Sequence, residues 1–396
     1  MSNKKYVVFL GNSGFPYGFA GIQKIILISK CLILKGNHVT VICEKGTQNK
    51  SDYPDLQHQG IFENIEYVYT SGSPFRDNSF IKRNLLKIKG LIGEISYLRK
   101  RRKSKTLDHA IISSMNFYSV LFYFFLSKIY RFKIILNYVE FYSSVKKKWY
   151  RINARLNDYL FDKYAPALTD AALPISEFLI GHLQKVSPGK KYLKIPGLTD
   201  FEKYNNIEIL NTDKYFLYCG AAGYREVIDF IIDAFTGLDN TDTFLYLVVN
   251  GDGNSINSIK EYICNSSKKD KIKLLSRLTE KELYTYYQNA IALLIPLRPT
   301  FQDLARFPHK TGEYMGSANP VISVNYGEIK YYFKDMENIL LAENYDVAQF
   351  ADKMKFVIDH PGLAKEIGTK GKEVALNLFH YKNRALYIDD FFNSKF

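Results

Sequence analysis

Twice in this chain a run of five apolar residues ends in glycine and gives way to a helix. The first is Tyr6-Val-Val-Phe-Leu10, followed by Gly11, and the second is Tyr215-Phe-Leu-Tyr-Cys219, followed by Gly220. A short continuous apolar run that feeds a glycine loop and then a helix is the unit of a buried parallel sheet. After the first run come a loop over 11–21, a helix over 22–35 closed by Gly36, and a strand over 38–43. Further strands are expected at 65–69, 109–113, 133–137 and 171–175. After the second run the pattern restarts, with a helix at 226–235, strands at 243–249 and 272–275, a helix at 280–289, a strand at 290–296, a helix at 309–316 and a strand at 320–323. The polar stretch 198–214 between the two series reads as a connection. The expectation is two successive α/β domains, each with its own sheet.

The chain is 46% hydrophobic and 24% charged, which excludes a disordered or collagen-like polymer. Cys31, Cys43, Cys219 and Cys264 form no CxxC pair and no repeated spacing, so neither a zinc knuckle nor a disulfide framework is expected, and a reducing compartment fits. The apolar start is too short for a signal peptide core. The longest apolar stretch, 117–129, is too short to span a bilayer and is read as a buried helix.

The net charge is +14, and it is concentrated. Between Phe80 and Lys105 stand Lys82, Arg83, Lys87, Lys89, Arg99, Lys100, Arg101, Arg102, Lys103 and Lys105 against the single acid Glu94. Ile81, Leu85, Ile88, Ile92 and Ile95 recur at helical spacing in the same segment. Such a helix suits an anionic membrane surface, but the same pattern describes a domain helix with its apolar stripe turned inward and its basic face solvated. Gly90 and Gly93 weaken it as a helix. A second cluster, Lys146-Lys-Lys-Trp-Tyr-Arg151, places an aromatic ring among cations.

Several segments could receive an anion. Gly18 and Gly21 precede the first helix, where glycine admits close approach and the helix end favours negative charge. Gly220-Ala-Ala-Gly-Tyr-Arg225 offers the same geometry with a cation; a plain strand–helix turn fits both. The segment 303–322 is the richest. Arg306, His309 and Lys310 gather around a helix start near Pro308, with Glu313 about a turn further on. These are the groups a diphosphate and a ribose would need. No GxxxxGK[ST], HExxH or GxSxG pattern is present.

In order and spacing these segments resemble the GT-B glycosyltransferases of the family 4 type, retaining enzymes that use nucleotide sugars. Gly18-Phe-Ala-Gly21-Ile-Gln-Lys with Gly36-Asn-His38 resembles the family's opening loop and turn. Leu173-Pro-Ile-Ser176 and Lys194-Ile-Pro196-Gly-Leu-Thr-Asp200 resemble its mid-chain segments. Tyr218-Cys-Gly220 through Ala234-Phe235, Val248-Val-Asn-Gly251-Asp-Gly253 and Phe307-Pro308-His-Lys310-Thr-Gly-Glu313-Tyr-Met-Gly-Ser-Ala-Asn-Pro320 resemble its donor-site motifs.

The resemblance implies two Rossmann-like domains, 1–200 for the acceptor and 201–375 for the nucleotide sugar, facing across a cleft. A last helix, 376–396, would cross back onto the first domain. It implies a donor site of Gly21, Gly220, Arg225, Asn250, Gly251, Arg277, Phe307, Pro308, His309, Lys310 and Glu313. Arg225 and Lys310 would act on the diphosphate, Glu313 would hold the ribose, and Glu140 falls near the family's first-domain catalytic position. No metal or other cofactor is expected. The donor is a UDP- or GDP-linked sugar. The basic helix and the Lys146–Arg151 cluster suggest a membrane-linked glycan acceptor, such as one on a polyprenyl diphosphate in capsule, O-antigen or exopolysaccharide assembly, and a cytoplasmic protein peripheral on the inner membrane face. The first acid of the family's E-x7-E motif is replaced by Ala305, with Asp303 or Arg306 as substitutes, and the usual Arg after Gly220 is Ala221. A sugar-nucleotide 2-epimerase of the same fold and a nucleic-acid-binding protein stay open as alternatives. The second is disfavoured because the charge sits in one helix.

Overall fold

A computed structural model describes residues 4–18, 20–144, 151–205, 207–208, 213–239 and 242–394. The chain divides into two compact units, 1–198 with 381–396, and 199–380.

The first unit holds eight strands: β1 (Tyr6–Ser13), β2 (His38–Lys45), β3 (Gln59–Phe62), β4 (Ile65–Tyr69), β5 (His109–Ile112), β6 (Lys133–Tyr138), β7 (Ala171–Pro174) and β8 (Lys191–Tyr192). Their order in the sheet is β3-β4-β2-β1-β5-β6-β7-β8, parallel throughout except for the β3–β4 pair. The sheet therefore grows in one direction from β1 through β2 and β4, then restarts on β1's other side with β5. On one face Val7, Phe9, Val41, Ile111, Ile135 and Leu173 form a core with Ile25 and Ile28 of helix Ala20–Leu34 and with Ile388 and Phe392 of helix Tyr381–Asn393. Asn37 donates to the buried Asp389 at 2.6 Å, tying the last helix to the turn before β2. The expected last helix, 376–396, is not one helix. Helix Pro361–Phe379 ends at His380, whose backbone bridges Thr199, and Tyr381–Asn393 begins anew.

On the opposite face lie helices Phe80–Lys103, Phe117–Tyr130 and Ile152–Leu168, side by side. The basic helix is turned over relative to an ordinary amphipathic one. Its buried residues are Gly90, Glu94 and Leu98. Ile81, Leu85, Ile88 and Ile92 are 70, 60, 56 and 63% exposed. The two glycines are the reason. A Cβ on Gly93 would come within 2.5 Å of the Thr70 carbonyl, and one on Gly90 would collide with the Glu44 carbonyl. The helix backbone thus rests directly on the ends of β2 and β4, and the glycines that cost helix propensity are its contact points. Burial pushes the Glu94 carboxyl up to about 8; the Tyr123 hydroxyl, 3.2 Å from both oxygens, works against this, and the neighbouring Glu44 carboxylate adds to it. Glu94 is thereby kept protonated and uncharged inside.

The helix Phe117–Tyr130 departs from its expected full burial. Val120, Tyr123 and Leu126 face inward, while Tyr118, Phe125 and Ile129 are more than half exposed, on the same layer as the exposed isoleucines. Ile152, Leu156 and Tyr159 of the third helix are exposed as well. The Lys146–Trp149 cluster lies outside the described residues.

The second unit has six strands, all parallel: β9 (Tyr215–Ala221), β10 (Phe244–Asn250), β11 (Ile272–Leu275), β12 (Ala292–Ile295), β13 (Val321–Val324) and β14 (Leu340–Ala342). Their order is β11-β10-β9-β12-β13-β14. Counted within the unit this is 3-2-1-4-5-6, the doubly wound order. Its direction reverses between β9 and β12, and in such sheets ligands bind outside the carboxyl ends of the strands at that reversal.

Candidate active site

Three loops leave the sheet at the reversal in the second unit. The first, after β9, carries Gly220 through Tyr224. The Cys219 amide donates to the buried Tyr314 hydroxyl at 2.9 Å, which fixes the strand end against helix Lys310–Gly316. Gly220 has no room for a side chain, because the Tyr218 hydroxyl occupies that place. The second loop, after β10, holds Asn250 and Gly251. The Asn250 side chain accepts from the Arg277 amide at 2.9 Å, and Arg277 takes a left-handed φ of 56° to present it. Asn250, Gly251, Gly220 and Arg277 therefore belong to one loop cluster.

The third loop, after β12, passes through the short helix Phe301–Ala305 and returns at Arg306 into helix Lys310–Gly316. That helix stands on tyrosines. Tyr204 donates to the Glu313 carbonyl, and the rings of Tyr204, Tyr284, Tyr287 and Tyr314 follow one another at 4.9, 5.6 and 4.9 Å between centroids. On this floor Lys310 Nζ lies 3.4 Å from the Tyr287 hydroxyl, and His309 Nε2 lies 3.7 Å from Glu313 Oε1. Burial alone would weaken the Lys310 charge. The nearby Glu313 carboxylate and Cys219 thiol more than offset it, so its pKa stays above the ordinary lysine value. Phe307 is buried against Phe379 and Tyr332, at 5.1 and 5.7 Å, and with Pro308 serves as the anchor of the turn.

The structure thus brings His309, Lys310 and Glu313 together beside the end of β9. It does not bring Arg225 to them. The Arg225 guanidinium bonds Asp229 Oδ1 at 2.5 Å and Ser258, and lies over the Tyr262 ring. The cations found beside that loop are Arg306, whose Nη1 donates to the Tyr224 hydroxyl at 2.6 Å, and Arg298, which lies over the Tyr224 ring. Asp303 does not stand in for the missing acid at Ala305: both its oxygens accept from Arg298 at 2.9 Å, a buried bidentate pair. In the first unit, Gly21 opens helix Ala20–Leu34 with no atom within 4 Å of where a Cβ would sit, and Glu140 is half-buried beyond the end of β6. Arg101 is tied to Glu66 at 2.7 Å and to Tyr97, so it fastens the basic helix to the sheet. Among the described residues no three His, Cys, Asp or Glu side chains gather as metal ligands would.

The tyrosine floor and the Arg306–Tyr224 bond were invisible in the sequence. Tyr204, Tyr284 and Tyr287, and Tyr314 come from three separate elements, and Arg306 finds its partner 82 residues away.

Residues 200–374 match the family model described as glycosyl transferases group 1. An uncharacterised glycosyltransferase of Methanocaldococcus jannaschii is 24% identical over 213 residues, which is 54% of this chain and 56% of that protein. The match therefore spans about half of each. Among solved structures, sucrose-phosphate synthase from Thermosynechococcus elongatus superposes with a TM-score of 0.74 at 15% identity, covering 98% of both chains. The Anabaena protein HepE, in complex with UDP and glucose, gives 0.68 at 12% identity over 97% of both. The fold is that of the GT-B glycosyltransferases.

Proposed function

We propose that this protein is a retaining glycosyltransferase, a reading supported by the match of residues 200–374 to the glycosyl transferases group 1 model. It moves a sugar from a nucleotide diphosphate sugar to a lipid-linked glycan in surface polysaccharide assembly. The observation that carries the reading is the cluster of His309, Lys310 and Glu313 at the reversal of a 3-2-1-4-5-6 sheet. When the glycosyl–phosphate bond breaks, positive charge grows on the sugar and negative charge on the departing diphosphate. A fixed cation that meets this growing charge lowers the barrier, because it binds the transition state more strongly than the ground state. Lys310 fills that role, and Arg306 stands ready at the neighbouring loop. The Glu313 carboxylate accepts from the vicinal hydroxyls of the ribose. HepE binds UDP and glucose in the same fold, which supports a uridine nucleotide. In a retaining transfer the acceptor hydroxyl attacks on the leaving-group side and its proton passes to the diphosphate, so no protein base is needed.

The lipid-linked acceptor rests on the outer layer of the first unit. No helix among the described residues is long and apolar enough to cross a membrane. Yet Ile81, Leu85, Ile88 and Ile92 stand exposed along one stripe, bordered by Lys82, Lys87, Lys89, Arg99, Lys100, Arg102 and Lys103. An exposed apolar stripe with cationic flanks is what an anionic bilayer surface holds. We place the protein on the inner face of the plasma membrane.

A thermal-shift screen of UDP- and GDP-linked sugars tests the donor reading. At least one nucleotide sugar raises the melting temperature. Glu313→Ala weakens its binding about 10- to 100-fold, as loss of a charged hydrogen-bond acceptor does. A flat response to every nucleotide sugar, or an unchanged affinity in Glu313→Ala, overturns it.

A further inference from the structure

The first unit has a sheet reversal of its own, between β1 and β5, and buried polar atoms without partners collect there. Lys24 is 4% exposed, and its ammonium nitrogen has no hydrogen-bond partner. It lies in the second turn of helix Ala20–Leu34, one and two turns before Ile28 and Cys31, which face the core. A helical side chain leans toward its helix's start, here toward the carboxyl ends of the strands. Burial alone pushes Lys24 down to about 7, and no acid contributes to its environment.

At those strand ends, Asn12 Nδ2, Ser113 Oγ and Asn137 Oδ1 are also buried without partners. Their register places them on one face. A register shift after Phe9 brings Asn12 opposite Cys43, a core residue of the helix-covered face. Ile111 and Ile135 face the same core and are paired in register; Asn137 is two residues on in β6, and Ser113 lies just past the end of β5, where its amide still donates to the Leu10 carbonyl, so both are placed on that face. Glu44 is on the other face, with Glu94. The edge therefore holds an amine, an amide donor, a hydroxyl and one amide acceptor, and no carboxylate acts on Lys24. Leaving such groups buried and unmatched is costly, and a protein core keeps them when something else completes them.

We propose that this edge is an anion-recognising subsite: a phosphate or carboxylate on a sugar ligand supplies the counter-charge for Lys24, while Asn12 and Ser113 donate to it and Asn137 accepts from a sugar hydroxyl. That the ligand is the acceptor rests on the reading given under Proposed function; the site itself does not.

The test is calorimetric titration of the full chain with glucose, glucose 6-phosphate and glucuronate, with and without saturating UDP. At least one anionic sugar binds tenfold or more tightly than glucose, and the two anions separate a phosphate site from a carboxylate site. Lys24→Met brings the three sugars to equal affinity and leaves UDP binding within twofold. The same variant melts higher, by about 2–4 °C, because an unmatched buried amine is gone. Equal affinities in the unaltered protein, as water-filled groups would give, overturn the proposal. So does Lys24→Met with sugar binding intact, whichever way its melting temperature moves. Failure of UDP to bind counts against the donor reading, while the titration without UDP still decides the role of Lys24.

Discussion

Lys310→Met lowers kcat/KM for sugar transfer about 10²–10³-fold, most of it in kcat. Methionine keeps most of the apolar stem and removes the charged, hydrogen-bonding ammonium group. In the resting protein Glu313 and Cys219 outweigh the effect of burial on that charge, although the side chain is half-buried beside Tyr287. A cation preset in this way needs no rearrangement when the diphosphate departs, and removing one such group costs about 3–4 kcal/mol of transition-state stabilisation. The helix keeps its seat on Tyr204 and Tyr314, so the melting temperature moves little. Steady-state kinetics with the best donor of the screen checks this. A loss under threefold, or one confined to KM, shows that Lys310 merely binds the donor or does not meet it.

The second large effect belongs to the exposed apolar stripe of the basic helix. Replacing Ile81, Leu85, Ile88 and Ile92 together by serine lowers partitioning onto anionic vesicles at least 100-fold. A fully buried aliphatic side chain contributes about 1.5–3 kcal/mol, and four that sink only half-way contribute about 3–6 kcal/mol together. Because the stripe is opposite Gly90, Glu94 and Leu98, the variant keeps its fold and its donor binding. The flanking cations add a term that fades with salt. Co-sedimentation with vesicles rich in phosphatidylglycerol, at low and high salt, reads both effects. If the unaltered protein stays in the supernatant with such vesicles, the stripe serves another purpose.

How much of this could be read beforehand follows from where each signal resides. The inner strands β1, β9 and β10 announce themselves as apolar runs closed by glycine or asparagine, because both faces of each are covered. The edge strands β3 and β8 do not. Lys191–Tyr192 is two exposed residues long, and Gln59–Phe62 is nearly all exposed, so neither carries a pattern. The basic helix shows the limit of periodicity. Its isoleucines give the stronger apolar stripe, yet the buried side is the one with Gly90 and Glu94, chosen by how closely the backbone must approach Glu44 and Thr70. At the candidate site, Lys310, His309 and Glu313 are four residues apart or fewer, so their meeting is local and legible. The redirection of Arg225 depends on Ser258 and Tyr262, which reach it from another helix.

In the function proposed here, the second unit grips a nucleotide diphosphate at the reversal of its sheet. A crystal structure of the full chain with UDP tests it most directly. The account predicts the diphosphate within hydrogen-bonding distance of Lys310 Nζ and the ribose hydroxyls on the Glu313 carboxylate. A nucleotide seated away from both side chains would contradict it.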